Sequence, residues 1–222
     1  MADADTGPTP ETGDRIEIYA DYVCPFCFLG TRSLEQYREQ RDEPLTVEWH
    51  PFDLRSGKRN PDGSIDRDAD DGKDEQYYDQ AKQNVRRLQE EYGVEMAQEM
   101  ASDVDSIDAQ AASWYVKQEY PEQWAAFDEA IYTALWKDGR DIGDVDVLAD
   151  LAANVDLPVD EIRDAVADDG LRSELETRFA EAQGRGVTGV PTFLSDGHVA
   201  RGAVPPEHLE RLVEGDGAGR GR

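Results

Sequence analysis

The sequence predicts an α/β fold in which a long all-helical stretch interrupts a small sheet. Three observations predict it. Two segments of alternating polar and apolar residues, 15–20 and 45–50, flank a helical pattern. Helical periodicity then continues without a strand signal to about residue 170. Near the end, a Gly- and Pro-marked apolar run is followed by an Asp-Gly turn and a second short run, the signature of a hairpin.

In chain order, Arg15-Ile16-Glu17-Ile18-Tyr19-Ala20 reads as a strand. The turn Asp21-Tyr22-Val23 leads to Cys24-Pro25-Phe26-Cys27, and Phe28, Leu34 and Tyr37 mark a helix that ends near Gln40. Pro25 falls in the first turn, where its missing N–H costs little. Leu45 to His50 forms the second strand. Residues 55–75, rich in Gly, Asp, Arg and Asn, read as a long loop. Helices follow at Tyr77–Tyr92, at Ala109–Tyr120 before Pro121, and at Trp124–Leu135, with Gly139 as a stop. Two shorter ones are expected over 144–153 and 159–168, and another over Leu171–Ala182. Gly189 to Leu194 reads as a strand, Asp196-Gly197 as its turn and His198-Val199-Ala200 as its partner. Pro205 and Pro206 open a last helix.

The expected organisation is a flexible tail over 1–14 and a discontinuous sheet domain from 15–54 and 171–214. A helical insertion domain occupies 70–170, and a second tail covers 215–222. The insertion, roughly 100 residues, has the length of a domain.

The net charge of −27, from 50 Asp and Glu against 23 Lys and Arg, is spread along the whole chain. Nine Tyr, six Phe and four Trp argue for a packed core rather than disorder. Carboxylates over an entire surface repel one another in dilute salt, and at molar salt a Debye length of about 3 Å screens them. This composition points to a high-salt cytoplasm such as that of a haloarchaeon. It excludes nucleic acid as a partner, because phosphate binding needs clustered Lys and Arg. Met1 to Gly13 has neither a basic region nor an apolar stretch of a secretory signal. No membrane partner is expected, since no stretch approaches a spanning length. The expected localisation is cytoplasmic, a compartment where structural disulfides are rare.

The chain has two cysteines, three positions apart. Three readings are open: a redox dithiol, half of a zinc site, and a pair of core thiols. Zinc needs two further ligands, and His50, His198 and His208 are scattered. Placement straight after a strand and at a helix start favours the dithiol. There the unpaired amides and the positive end of the helix dipole favour the thiolate of Cys24, which is expected to be solvent-accessible. Pro191, at the entrance of a strand, is the second signal. A cis X–Pro bond there is weak evidence by itself and gains weight from the CxxC pair upstream.

Tyr22 to Gly30, taken with Gly186-Val187-Thr188-Gly189-Val190-Pro191-Thr192-Phe193, resembles the DsbA family, and within it the FrnE-like branch. Trp136 to Ile142 with Val147-Leu148-Ala149, and Gly202 with Pro205-Pro206-Glu207, resemble the same branch, so the likeness covers about residues 15–214. The resemblance implies a thioredoxin-like fold with an all-helical insertion domain and thiol–disulfide exchange. It implies that Cys24 is the nucleophile, that Cys27 resolves the mixed disulfide, and that Pro191 is cis beside them. Pro25, Phe26, Val190 and Pro191 become the substrate-binding surface, the Val190 backbone pairing with an extended partner. Partners would be protein or small-molecule thiols and disulfides. No cofactor and no metal are required.

Departures from the family pattern qualify this. The branch that isomerises 2-hydroxychromene-2-carboxylate with glutathione carries Ser at the Cys24 position, so two cysteines favour redox chemistry. A His of FrnE-like proteins in the insertion is replaced by Gln110. Phe26 stands where many periplasmic members have His, so a less oxidising disulfide is expected. His50 in a strand reads as structural, as do Trp49 and Trp124. The acidic loop 66–75 lacks calcium-loop spacing. Two other functions compete: a glutathione-type isomerase or transferase on a small aromatic substrate, and a peptide-binding, chaperone-like module.

Overall fold

The computed structural model describes residues 14–66, 68, 69, 72–101 and 103–215. The expected tails lie outside these residues except for Asp14 and Gly215. The acidic loop 66–75 lies partly outside them.

Strand β1, Arg15–Ala20, sends Ile16, Ile18 and Ala20 to one face and Tyr19 to the other, and both faces are covered. The alternation of its sequence is thus a buried alternation. Helix α1, Pro25–Glu39, follows after a four-residue turn, and β2, Thr46–Pro51, returns parallel to β1 with Ile18 opposite Trp49. After the long loop come α2, Glu75–Tyr92, α3, Ile107–Glu119, and α4, Pro121–Trp136. Next are α5, Val145–Asn154, α6, Val159–Ala167, and α7, Asp169–Gly184. The local chemistry explains the boundaries. Asp74 and Asp168 cap α2 and α7 by accepting the amides of Tyr77 and Leu171, and Gly93 ends α2 at φ 66°. Pro121 separates α3 from α4 as the first residue of the new helix.

Strands β3, Thr192–Ser195, and β4, His198–Arg201, close the sheet in the order β2-β1-β3-β4. Asp196 and Gly197 both have positive φ, 46° and 82°, as a two-residue hairpin turn requires. The strand is shorter at its start than the apolar run 189–194 suggests. Pro191 has no N–H for the ladder, so pairing begins at Thr192. Helix α8, Pro206–Glu214, completes the fold. This is the mixed α/β, thioredoxin-like architecture the sequence predicts. Among the described residues no helix is long and apolar enough to cross a membrane.

One apolar cluster joins the sheet to the helices, with Ile18, Phe28, Trp49 and Phe193 packed together with Phe127, Ile131, Trp136 and Leu148. Trp136 is fully buried at the end of α4, and its indole N–H donates to the Tyr22 carbonyl at 2.8 Å. The turn before Cys24 is therefore pinned from the helical segment. Replacing Trp136 with Phe leaves the Tyr22 carbonyl without its donor, a loss of about 1–3 kcal/mol. Urea unfolding at fixed high salt should show a lower midpoint at unchanged slope. An unchanged midpoint would mean that the bond contributes nothing.

Candidate functional site

Cys24 is the residue before the first turn of α1, in extended conformation at φ −90° and ψ 116°. Its amide donates to the Asp21 carbonyl at 3.1 Å. Its own carbonyl accepts from the amides of Cys27 at 3.0 Å and Phe28 at 3.3 Å. Its side chain therefore leaves from the helix end, where the first-turn amides lack intrahelical partners. Cys27 stands one turn on, 0% exposed, and accepts the Asp21 amide at 3.5 Å through Sγ. Both cysteines are free thiols. Burial pushes the Cys27 thiol well above its ordinary pKa, and the Cys24 sulfur beside it adds to the effect.

The expected open access to Cys24 is corrected by the structure: only 4% of the residue is exposed. The cover comes from the segment before β3, where the Cys24 thiol donates to the Val190 carbonyl at 3.5 Å. The Val190–Pro191 bond is cis. Pro191 is buried and Val190 half-buried. The close approach rests on Gly30, where a Cβ would stand 3.1 Å from Pro191 Cγ and 3.3 Å from Phe193 Cζ. Two bonds shape the segment, from the Thr192 hydroxyl to the Gly189 carbonyl at 2.7 Å and from the Gly202 amide to the Pro191 carbonyl at 2.8 Å. Pro25 is buried. Phe26 is half-buried against Leu29, Val85, Leu88 and Tyr92.

Sequence reasoning missed the third ionisable group. Asp21 is 0% exposed and supports Cys27 through its backbone. Its carboxylate accepts the amides of Val23 at 3.2 Å and Leu54 at 2.8 Å, and the Ser106 hydroxyl. Burial outweighs these bonds and pushes the acid up to about 6. The Leu54 amide is held there by the loop after β2. Arg55 donates to the carbonyls of Ala101 and Val104, and Arg59 bridges Asp53 and Asp105. A polar residue in the run Tyr19-Ala20-Asp21-Tyr22-Val23, otherwise apolar or aromatic, was the available signal. Only the fold shows that it is enclosed.

A model of the DSBA-like thioredoxin domain matches residues 15–214. The chain belongs to this family. It is similar to the uncharacterized protein YwbO of Bacillus subtilis (strain 168), 30% identical over 202 residues that cover 89% of this chain and 94% of the relative. Among solved structures it is similar to the probable DsbA oxidoreductase SCO1869 of Streptomyces coelicolor. There the TM-score is 0.74 at 22% identity, over 94% of this chain and 92% of that one. It is also similar to a 2-hydroxychromene-2-carboxylate isomerase, with TM-score 0.70 at 18% identity, over 89% and 92% of the two chains. Those two likenesses are to the fold.

Other residues singled out in the sequence lie apart from the sulfurs. His50 stacks on Tyr19 with centroids 4.5 Å apart, and its Nε2 lies 3.1 Å from Glu17 Oε2. Burial lowers its pKa. Gln110 is buried and donates to the Phe52 carbonyl and the Ser106 hydroxyl, so it stands behind the Asp21 support rather than at sulfur. Trp49 is core, and Trp124 packs partly buried against it. Among the described residues no three His, Cys, Asp or Glu side chains gather as a metal site.

Asp21 makes the fold's stability depend on pH. Its acid is near 6 when folded and near 3.8 otherwise, so the native state holds the proton more tightly. That contribution is complete below pH 3.8 and is lost as pH rises through 6. At ~1.4 kcal/mol per unit, the span is about 3 kcal/mol. Asp21→Asn should therefore gain stability relative to wild type as pH rises from 4 to 7. Parallel stability curves for the two proteins over that range would contradict the assignment.

Proposed function

We propose that this chain exchanges disulfides with protein and small-molecule partners through Cys24 and Cys27. The observation that carries the reading is the pair itself: two free thiols one turn apart at a helix start, one sealed and one beside the Val190–Pro191 segment. In the reducing direction the Cys24 thiolate attacks a partner disulfide. One partner sulfur leaves as a thiolate and takes a proton from solvent. The Cys27 thiol loses its proton and attacks Cys24 Sγ. The mixed disulfide breaks, the second partner sulfur leaves, and Cys24–Cys27 is oxidised. The oxidising direction is the reverse, and electrons balance as one disulfide for another. The proton that Cys27 gives up goes to the second partner sulfur as it leaves. Val190, Pro191, Pro25 and Phe26 form the surface on which an extended partner lies.

Membership of the DSBA-like family supports the reading, and so does the second cysteine. An isomerase of the same fold has no need of a resolving thiol, and neither has a binding module. Cys24→Ser should abolish reduction of a protein disulfide and of a small aromatic disulfide alike, by at least a thousand-fold. Retained turnover would remove Cys24 from the chemistry. At pH 7, brief alkylation of the reduced protein should label Cys24 well before Cys27, whose thiol is both sealed and hard to ionise. Peptide mapping reads the order, and equal labelling, or faster labelling of Cys27, would count against this assignment of roles.

The working medium is a high-salt cytoplasm, a reading supported by the net charge of −27. Far-ultraviolet circular dichroism should show loss of structure as salt falls from molar to millimolar. Equal stability at both ends would remove the ground for that placement.

A further inference from the structure

A cavity of about 300 Å³ lies where β1 and β2 meet α3 and α7. It is not the cysteine site. Tyr19, which lines it, belongs to the face of β1 opposite Ile18, and the Ile18 cluster holds both cysteines. At about 30 Å³ per water the space holds on the order of ten waters. That is the small end of the range of ligand cavities.

The wall carries charge of both signs, but the two signs differ in what they have left to bind. Its carboxylates are taken: Glu48 meets Arg15, and Glu181 meets Arg178 Nη1 at 2.9 Å. Two of its bases are taken as well. Arg185 Nη1 lies 2.7 Å and His50 Nε2 3.1 Å from Glu17 Oε2.

The spare capacity is all donor. Lys117 donates to the Trp49 carbonyl at 2.5 Å and pairs with no carboxylate among the described residues, so hydrogens of its ammonium remain. The Trp114 Nε1 and the Arg178 Nε are buried atoms with no hydrogen-bond partner among the described residues. The three groups stand together. Arg178 Cζ lies 5.3 Å and Lys117 Nζ 5.5 Å from the centroid of the Trp114 ring, and all three residues line the cavity. Trp114 and Lys117 share a face of α3 because they are three residues apart.

Buried donors nearly always recover the bonds they lose to water, so two orphans on one cavity call for a ligand. The ammonium makes the same demand. In a chain with 50 acidic and 23 basic residues, a half-buried lysine without an acid beside it is out of keeping with its surroundings. Burial works against its charge and lowers its pKa.

We propose that this cavity binds a small monocarboxylic acid, its carboxylate held by Lys117, the Trp114 indole and the Arg178 Nε. A carboxylate accepts from several donors at once, and bonds from charged donors are the stronger ones. One acid group uses the spare donors, and a second would find none. The volume exceeds what a bare ion fills, and Tyr19 and Ala182 offer ring and methyl surface for the rest of the molecule. No bond is made or broken.

The test uses the full chain in molar potassium chloride, where chloride competes throughout and long-range attraction is screened. Nitrogen-15 labelling of tryptophan gives four indole resonances, with Trp114 assigned by Trp114→Phe. Butyrate should shift the Trp114 resonance saturably. It should leave Trp124 and Trp136 in place, since their indoles are already bonded to Ser113 and to the Tyr22 carbonyl. Lys117→Met and Arg178→Gln should each weaken binding at least ten-fold. Arg178 is the more exposed of the two, so its variant keeps the test open if Lys117→Met does not fold. Butyramide, neutral and of the same shape, should have no effect, and sulfate should bind at least ten-fold more weakly than butyrate. A Trp114 resonance unmoved by butyrate, or moved equally by butyramide, would overturn the proposal. Sulfate binding as tightly as butyrate would overturn the organic acid as ligand. Undiminished binding in both variants would overturn the assigned donors.

Discussion

The dryness of one sulfur organises this structure. Cys27 has no contact with solvent, and neither has the Asp21 carboxyl whose own backbone amide supports it. Ionising either group inside the fold works against burial, and both are held toward the neutral form. The surroundings are what such a site needs. Two amides and a hydroxyl converge on Asp21, and an indole donor fixes the turn carbonyl at Tyr22. None of these bonds touches Cys24. The two cysteines, chemically identical in the sequence, differ because one caps a helix and the other faces inward one turn later.

The acidic composition and the dry site occupy separate parts of the molecule. Arginines take most of the ion-pairing, often with two acceptors each. Arg41 joins Asp14 to Glu214, Arg59 joins Asp53 to Asp105, and Arg185 reaches Glu17 on the inner strand β1. A planar guanidinium serves two carboxylates at once, which a compact ammonium does less well. Lys117 has another place: it donates to the Trp49 carbonyl and lies over the rings of Trp49, Trp114 and Trp124. Exposed pairs contribute little each. The Arg59 bridge differs because it anchors the loop that presents the Leu54 amide to Asp21.

Elements with local signatures were legible before any coordinates. Alternation marked β1 and β2, Pro121 split two helices, and Asp196-Gly197 marked the hairpin. The CxxC spacing located the sulfurs because one helical turn is encoded in four consecutive residues. Exposure was not legible. The cover over Cys24 comes from Val190, 166 positions away, through a bond that no local pattern contains. The same holds for Asp21, whose enclosure depends on Leu54 and Ser106. The apolar run 189–194 overstates β3 at its start, whereas Pro191 as a strand entrance marks where pairing begins, at Thr192.

The helical segment therefore does more than enlarge the fold. The turn Asp21-Tyr22-Val23 is gripped from two sides. Sheet and loop hold Asp21, while α3 and α4 hold Tyr22 through Ser113, Asp128 and the Trp136 indole. A small sheet with one helix on each face could seal a cysteine by packing alone. It would have no second layer from which to bring a carboxyl, a hydroxyl and an indole to the same turn. Residues from that segment bond the turn that leads into α1, so the placement of the two cysteines is a property of both parts of the chain. The contacts that hold this turn lie outside the Cys24-Pro25-Phe26-Cys27 motif.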